Sequence, residues 1–136
     1  MNSEKIISIC YYSLIVLLIF LYLAPPSIMA FLFRIDPEIT LPSYKIGLSI
    51  YHLIFIFILT LLGLLKSFSK RNIFFLFFLI FSIEILHFIL PYRSFELKDY
   101  LGNISGFFSA LFMFYLIRFF TKKFTFSKKN IFLFYF

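Results

Sequence analysis

Four long apolar stretches alternate with short segments that contain charges or prolines. The stretches cover residues 6–23, 46–65, 73–90 and 99–119. A helix needs about 20 consecutive, mainly apolar residues to cross the hydrocarbon core of a bilayer. The pattern therefore predicts an all-α fold, an integral membrane bundle of about four transmembrane helices in one domain over residues 1–136.

The segments between these stretches set the ends of the predicted spans. Pro25 and Pro26 end the first span, because proline cannot continue a helix. This span is longer than the apolar part of a signal peptide, so we expect a retained anchor rather than a cleaved leader. Pro91 ends the third span, and residues 92–98 form a short polar hairpin that leads into the fourth.

Two remaining segments are predicted to lie at the membrane surface. Residues 27–44 mix a short apolar run with charges and prolines, which favours an interfacial loop. Residues 120–136 form a basic and aromatic tail, and its last six residues, IFLFYF, are too few to cross a bilayer. We expect the tail to lie in the interface with its aromatic side chains as anchors.

The composition supports a membrane protein. Hydrophobic residues make up 62% of the chain, with 24 Phe and 9 Tyr, against roughly 45–50% apolar residues in soluble domains. The net charge is +7. Because the basic residues border the apolar stretches, we expect membrane lipids with anionic headgroups as partners and no binding of nucleic acid.

The positions of the basic residues predict the orientation. Nine of the thirteen Lys and Arg residues lie in the amino-terminal segment, in the turn at 66–71 or towards the carboxyl end. Basic residues are retained on the cytoplasmic side of a membrane. We therefore expect a multi-pass protein of the cell membrane, plasma or inner, with both termini cytoplasmic and the hairpin at 92–98 extracytoplasmic.

Cofactor and metal chemistry receives little support. Cys10 is the only cysteine and lies inside the first apolar stretch, which excludes a disulfide framework and a thiolate metal site. Glu84 and His87 have the i, i+3 spacing found in di-iron bundles, but such centres need a second pair and two more carboxylates. We expect no cofactor and no metal.

Most residues that can bind or react are concentrated between residues 84 and 110. Glu84 and His87 are helical neighbours in the third span, and Asp99 and Asn103 share a face of the fourth span with Gly106 and Ala110. An ionisable residue inside a membrane normally faces the bundle interior with a partner. The spacing predicts an outward-facing polar pocket, with candidate ligand-binding residues Glu84, His87, Arg93, Glu96, Asp99 and Asn103.

Within that set the roles differ. Glu84, Asp99 and Asn103 are expected to line the pocket, and Arg93 to lie at its mouth, because its planar fork of donors suits a carboxylate or phosphate. His87 is interpreted as a hydrogen-bonding packing residue more than as a ligand. The charged groups could instead form a structural ion network that fixes the pairing of the helices.

The residues of this stretch resemble a family signature. The pattern is Glu84-x2-His87, then Arg93-x2-Glu96-x2-Asp99-x3-Asn103-x2-Gly106-x3-Ala110. It is similar to that of VanZ-like proteins, small multi-pass bacterial membrane proteins named for one associated with teicoplanin resistance. His87, Glu96 and Ala110 depart from the commonest family residues. Upstream, Lys45 matches the start of the family's second span, Leu48 stands at its histidine position, and His52 follows one turn later.

Three function classes remain open. The first is a cell-envelope protein that binds a lipid-linked or anionic ligand in the polar pocket, with teicoplanin resistance as the function that the resemblance implies. The second is a membrane enzyme in which Glu84 or Asp99 is a general acid or base. The third is a small transporter or accessory subunit with the acids as proton or cation sites. The oligomeric state is left open.

Overall fold

The computed structural model describes residues 3–25, 27, 28, 31, 47–90 and 94–123, and these residues form helices and no β-strand. The helices are α1 (Ser3–Leu23), α2 (Ile50–Lys66), α3 (Lys70–Leu86) and α4 (Leu97–Lys123). The predicted all-α class is confirmed. The predicted interfacial loop at 27–44 lies mostly outside the described residues, as do Arg93 and the tail beyond Lys123.

Two helices are long and apolar enough to cross a membrane, judged by length and composition. They are Ser3–Leu23, with 21 residues and a mean hydropathy of 2.5, and Leu97–Thr121, with 25 residues and a mean hydropathy of 1.6. Helix α2 is apolar but shorter, with 17 residues. Helix α3 also has 17 residues.

The turn between α2 and α3 is held by one side chain. Asn72 donates from Nδ2 to the backbone oxygens of Gly63, at 2.8 Å, and of Ser67, at 2.9 Å. Its Oδ1 accepts from the hydroxyl of Tyr11 on α1 at 3.2 Å. The hydroxyl of Ser69 caps α3 by accepting from the backbone N–H of Asn72. The tight basic turn is therefore tied to both neighbouring helices and to α1.

Helix α3 ends earlier than the apolar stretch that encodes it. After Leu86 the backbone makes three successive tight turns, in which the N–H groups of residues 87, 88 and 89 donate to the carbonyls three positions earlier. Hydrogen bonds of this 3₁₀ type, which tighten the helix, are common in a last helical turn. A residue before proline avoids the helical conformation, so Pro91 disfavours helix at Leu90. The turn places His87 at the end of α3, one turn after Glu84.

The apolar core lies along the middle of the bundle. It contains Tyr11, Leu18, Ile56, Leu59, Leu76, Ile80, Ile83 and Phe107. Large apolar side chains are also exposed on the outer faces of all four helices, among them Val16, Ile54, Phe74 and Phe112. Extended exposed apolar surface is typical of sites that contact other proteins or a membrane.

Helices α2 and α4 make the most extensive helix pair among the described elements. Gly106 of α4 lies against the backbone of α2, Gly102 lies against the backbone of Ser49 just before α2, and Ala110 is fully buried. A Cβ on Gly106 would lie 2.5 Å from the backbone oxygen of Leu53. Small residues allow such close approach of helices. Gly106 and Ala110, which share a face with Asp99 and Asn103, therefore occupy close-packed positions, and Gly102 adds a third.

Candidate functional site

A cluster of polar side chains lies where the end of α1, the start of α2, the end of α3 and the start of α4 meet. Its members, here called the polar cluster, are Tyr22, His52, Glu84, His87, Asp99 and Asn103. Each comes from within about two turns of a helix end. All four described helices therefore contribute to one end of the bundle.

Glu84 is the deepest member of the polar cluster. It is fully buried, with a relative exposure of 0%. Its Oε2 accepts a hydrogen bond of 3.2 Å from Nδ2 of Asn103, which is itself 1% exposed. Its Oε1 lies 3.4 Å from Nδ1 of His87 but makes no hydrogen bond of good geometry. Burial of an unpaired carboxylate is costly. Asn103 and His87 are the two neighbours that can offset this cost.

Tyr22 connects the members of the polar cluster. Its hydroxyl lies 2.7 Å from Nδ1 of His52 and donates to Oδ1 of Asn103 at 3.3 Å. Its backbone oxygen lies 3.3 Å from Nε2 of His87. Its ring stacks on the ring of His87, with centroids 5.5 Å apart, and meets the ring of His52 at a tilt. One residue of α1 thus touches members from the other three helices.

His52 and Asp99 form the accessible side of the polar cluster. Nε2 of His52 lies 3.8 Å from Oδ2 of Asp99. Their side chains are 25% and 19% exposed. A molecule that approaches this end of the bundle can therefore reach His52 and Asp99, whereas Glu84 and Asn103 lie beneath them.

The structure brings together four of the six predicted site residues. Glu84 contacts both His87 and Asn103. Asp99 contacts His52, which is linked to Asn103 through Tyr22. The remaining two residues are Glu96 and Arg93. Glu96 forms an ion pair with Lys98, with 2.8 Å between Oε2 and Nζ. Arg93 lies outside the described residues, so its place at the mouth of a pocket stays a prediction.

Two members of the polar cluster were not among the predicted site residues. His52 is a polar residue in an apolar stretch, and it follows the position where the VanZ-like pattern has a histidine, so a signal existed. Tyr22 gave no such signal, because the chain contains 9 Tyr and 24 Phe. Only the packing of α1 against the other helices distinguishes it.

The polar cluster can exchange hydrogen bonds and protons. Carboxylates, imidazoles and a phenol lie within one connected set, so donors and acceptors of several kinds are available. Within the described ranges no group of three or more His, Cys, Asp or Glu residues is placed to hold a metal ion. The described chemistry is that of hydrogen bonding, ion pairing and proton binding.

Comparison with known proteins adds no assignment. No family model, no curated protein and no solved structure matches this chain.

Proposed function

We propose that the chain is a multi-pass membrane protein of the cell envelope whose polar cluster binds the headgroup of a lipid-linked or anionic ligand. The observation that carries this proposal is the arrangement of the polar cluster. Glu84 and Asn103 are buried, whereas His52 and Asp99 form an accessible pair at the end of the bundle where the four helices meet. Ionisable residues inside a membrane commonly have a functional role.

A four-span bundle is part of the same proposal. Helices α2 and α3 have 17 residues each, about 26 Å at about 1.5 Å per residue, close to the ~30 Å of a hydrocarbon core. Both carry exposed apolar side chains, such as Ile54 and Phe74. Helices in this arrangement meet lipid on their outer faces and one another on their inner faces.

We infer that the polar cluster lies on the extracytoplasmic side. Lys66, Lys70 and Arg71 lie at the opposite end of the bundle, and basic residues favour the cytoplasm. Lys98 belongs to the polar end, but it is paired with Glu96. The ligand is then a headgroup presented at the outer surface. Arg93, two residues after Pro91 in the sequence, is the cation that we assign to an anionic part of that headgroup.

Native mass spectrometry of co-purified lipids tests the ligand proposal. Wild type, Asp99→Asn and Arg93→Lys are purified in parallel, with Glu4→Gln as a control that removes a carboxylate in the first turn of α1, at the opposite end of the bundle. We expect one lipid class to be retained by wild type and Glu4→Gln and to fall about tenfold in the other two variants, as a loss of about 1.4 kcal/mol would produce. An identical lipid profile in all four proteins would contradict the proposal.

The resemblance to VanZ-like proteins extends the proposal to teicoplanin resistance. Expression of the chain in a glycopeptide-sensitive bacterium should then raise the teicoplanin concentration that stops growth, and Asp99→Asn should cancel the effect. Equal susceptibility with and without the chain would remove this extension and leave the ligand proposal to the lipid measurement.

A membrane enzyme is the second candidate function, and the accessible pair favours Asp99 over Glu84 as its general acid or base. Glu84 is fully buried, whereas the side chain of Asp99 is 19% exposed beside His52. A general base must come within hydrogen-bonding distance of the proton that it removes. This alternative requires turnover of a candidate lipid by purified protein, abolished by Asp99→Asn.

A further inference from the structure

The backbone of Tyr22 determines which nitrogen of His87 carries a hydrogen. Nε2 of His87 lies 3.3 Å from the backbone oxygen of Tyr22. A carbonyl oxygen has no hydrogen and can only accept, so Nε2 must be the donor. A neutral His87 then has its lone pair on Nδ1. The ring stacking between Tyr22 and His87 holds the imidazole in this position.

The other nitrogen of His87 faces a carboxylate oxygen that lacks a partner. Nδ1 lies 3.4 Å from Oε1 of Glu84, and Oε1 is a buried atom without a hydrogen-bond partner among the described residues. A lone pair on Nδ1 facing a charged Oε1 would be repulsive. A proton on either atom removes the repulsion and gives Oε1 a partner.

We propose that Glu84 and His87 form a proton-binding site that holds one proton between Oε1 and Nδ1. With one proton the pair is electrically neutral, either as imidazolium and carboxylate or as imidazole and carboxylic acid. With none it carries one negative charge, and with two it carries one positive charge. Among the described residues no Lys or Arg forms an ion pair with Glu84, so a net charge on the pair is uncompensated there, which is costly when the two residues are 0% and 7% exposed. One proton is therefore the favoured occupancy.

The Asn103 amide leaves the proton on the other side of the Glu84 carboxyl group. Its Nδ2 donates to Oε2 of Glu84, so Oε2 accepts and carries no hydrogen. Oε1 of Glu84 and Nδ1 of His87 are therefore the two atoms between which the proton lies.

The other titratable groups facing this site come from three helices. Helix α1 contributes the hydroxyl of Tyr22, α2 contributes His52 and α4 contributes Asp99. His52 and Asp99 connect to the buried pair only through Tyr22 and Asn103 among the described contacts. The pair is thus linked through Tyr22 and Asn103 to a second histidine and a second carboxylate on the accessible side. This inference adds proton binding and does not depend on the proposed ligand.

Nuclear magnetic resonance of ¹⁵N-histidine and ¹³C-carboxyl glutamate in lipid nanodiscs tests the proton count near pH 7. The chain has two histidines, so His52→Gln assigns the signals of His87, and Glu84→Gln assigns the carboxyl signal of Glu84. We expect a hydrogen on Nε2 of His87 in wild type. We also expect either an imidazolium with an ionised Glu84 or a neutral imidazole with a protonated Glu84.

Three results in wild type would overturn the proposal. They are a neutral His87 beside an ionised Glu84, an imidazolium beside a protonated Glu84, and a His87 whose only hydrogen is on Nδ1. Because these readings come from the unsubstituted protein, a variant that fails to fold leaves the test intact.

Matched variants separate the proton-binding site from the accessible pair. Glu84→Gln should leave His87 neutral with a hydrogen on Nε2 only, and a persistent imidazolium in that variant would count against the site. Tyr22→Phe keeps the carbonyl and the ring but removes the hydroxyl, so the signals of His52 should shift while those of His87 stay. Glu4→Gln, at the opposite end of α1, should leave both histidines unchanged.

Discussion

Glu84 contributes the fully buried carboxyl group of the polar cluster. A carboxylate at 0% exposure has lost its contact with water, and removing one of its partners leaves a buried acceptor unsatisfied. Asn103 supplies the only hydrogen bond of good geometry to this carboxylate among the described residues. Asn103 should therefore contribute more to stability than its own packing suggests.

Replacement of Asn103 by alanine should destabilise the protein. We expect the free energy of unfolding to fall by about 1–3 kcal/mol, the typical cost of a buried polar group that loses its partner. Equilibrium unfolding in mixed detergent micelles measures this change. Ser109→Ala is the matched control, because Ser109 lies on the same helix and is exposed. Equal effects of the two substitutions would contradict the role given to Asn103.

The sequence predicted those residues of the polar cluster that have another member of the cluster close by on the same helix. The i, i+3 spacing of Glu84 and His87 and the i, i+4 spacing of Asp99 and Asn103 are local, and helix geometry alone brings them to one face. Contact between Glu84 and Asn103 follows because a short hairpin joins their helices. Tyr22 and His52 come from α1 and α2, and their approach depends on packing between distant segments, which a single sequence does not encode visibly.

At the scale of elements, the glycines of α4 determine how closely it approaches α2. The backbone N–H of Ser49, just before α2, donates to the backbone oxygen of Lys98 at 3.1 Å. Gly102 and Gly106 continue this contact along the two helices. Since His52 is on α2 and Asp99 is on α4, the separation of these helices also determines the distance between the two side chains.

Replacement of Gly106 by alanine should weaken the α2–α4 contact. The new Cβ would lie 2.5 Å from the backbone oxygen of Leu53 and 3.1 Å from the backbone nitrogen of Phe57, so the helices must separate. Overpacking of this kind costs about 1–3 kcal/mol, which exceeds the gain of about 1 kcal/mol in helix propensity at the upper end. We expect net destabilisation in the same unfolding assay.

Gly47→Ala is the control for this substitution. A Cβ there would meet only Cβ of Lys98 at 4.0 Å, an ordinary contact. The expected change is within about 0.5 kcal/mol, as for substitutions away from packed features. A Gly106→Ala variant as stable as Gly47→Ala would show that α4 does not approach α2 as closely as described.

The helices themselves were largely predictable, and their ends were less so. Each of the four apolar stretches contains a helix, because long apolar runs between prolines and charges leave few alternatives. Helix α3 ends at Leu86 rather than at Leu90, since the last turn narrows before Pro91. Helix α4 extends past its predicted end to Lys123, because a charged residue does not stop a helix in the way that proline does.

The whole molecule combines a polar end with an apolar outer surface. The polar cluster lies at one end of the bundle, while exposed apolar side chains occur on the outer faces of all four helices. Monomeric soluble proteins rarely expose large contiguous apolar patches. If lipid covers it, a residue halfway along a helix and exposed in the isolated chain should still be hidden from water.

Cys10 provides a direct test of this arrangement, because it is the only cysteine and it is exposed on α1. It lies seven residues after Ser3, about 10 Å along the helix axis at about 1.5 Å per residue, which is within the hydrocarbon core if α1 spans the bilayer. A membrane-impermeant maleimide carries a charge, and a charged group is costly inside a bilayer, so the reagent does not reach a thiol that lipid covers. Cys10 should therefore react at least about tenfold more slowly with a membrane-impermeant maleimide in intact cells than in denaturant.

The comparison variant is Cys10→Ser combined with Lys98→Cys, whose position at the polar end has a side chain that is 49% exposed. If the polar end is extracytoplasmic, this cysteine should be labelled rapidly from outside intact cells, whereas Cys10 should not. Rapid labelling of Cys10 would argue against a lipid-covered α1. Labelling of the introduced cysteine only after the membrane is opened would reverse the orientation, and the headgroup assigned to the polar cluster would then have to come from the cytoplasmic leaflet.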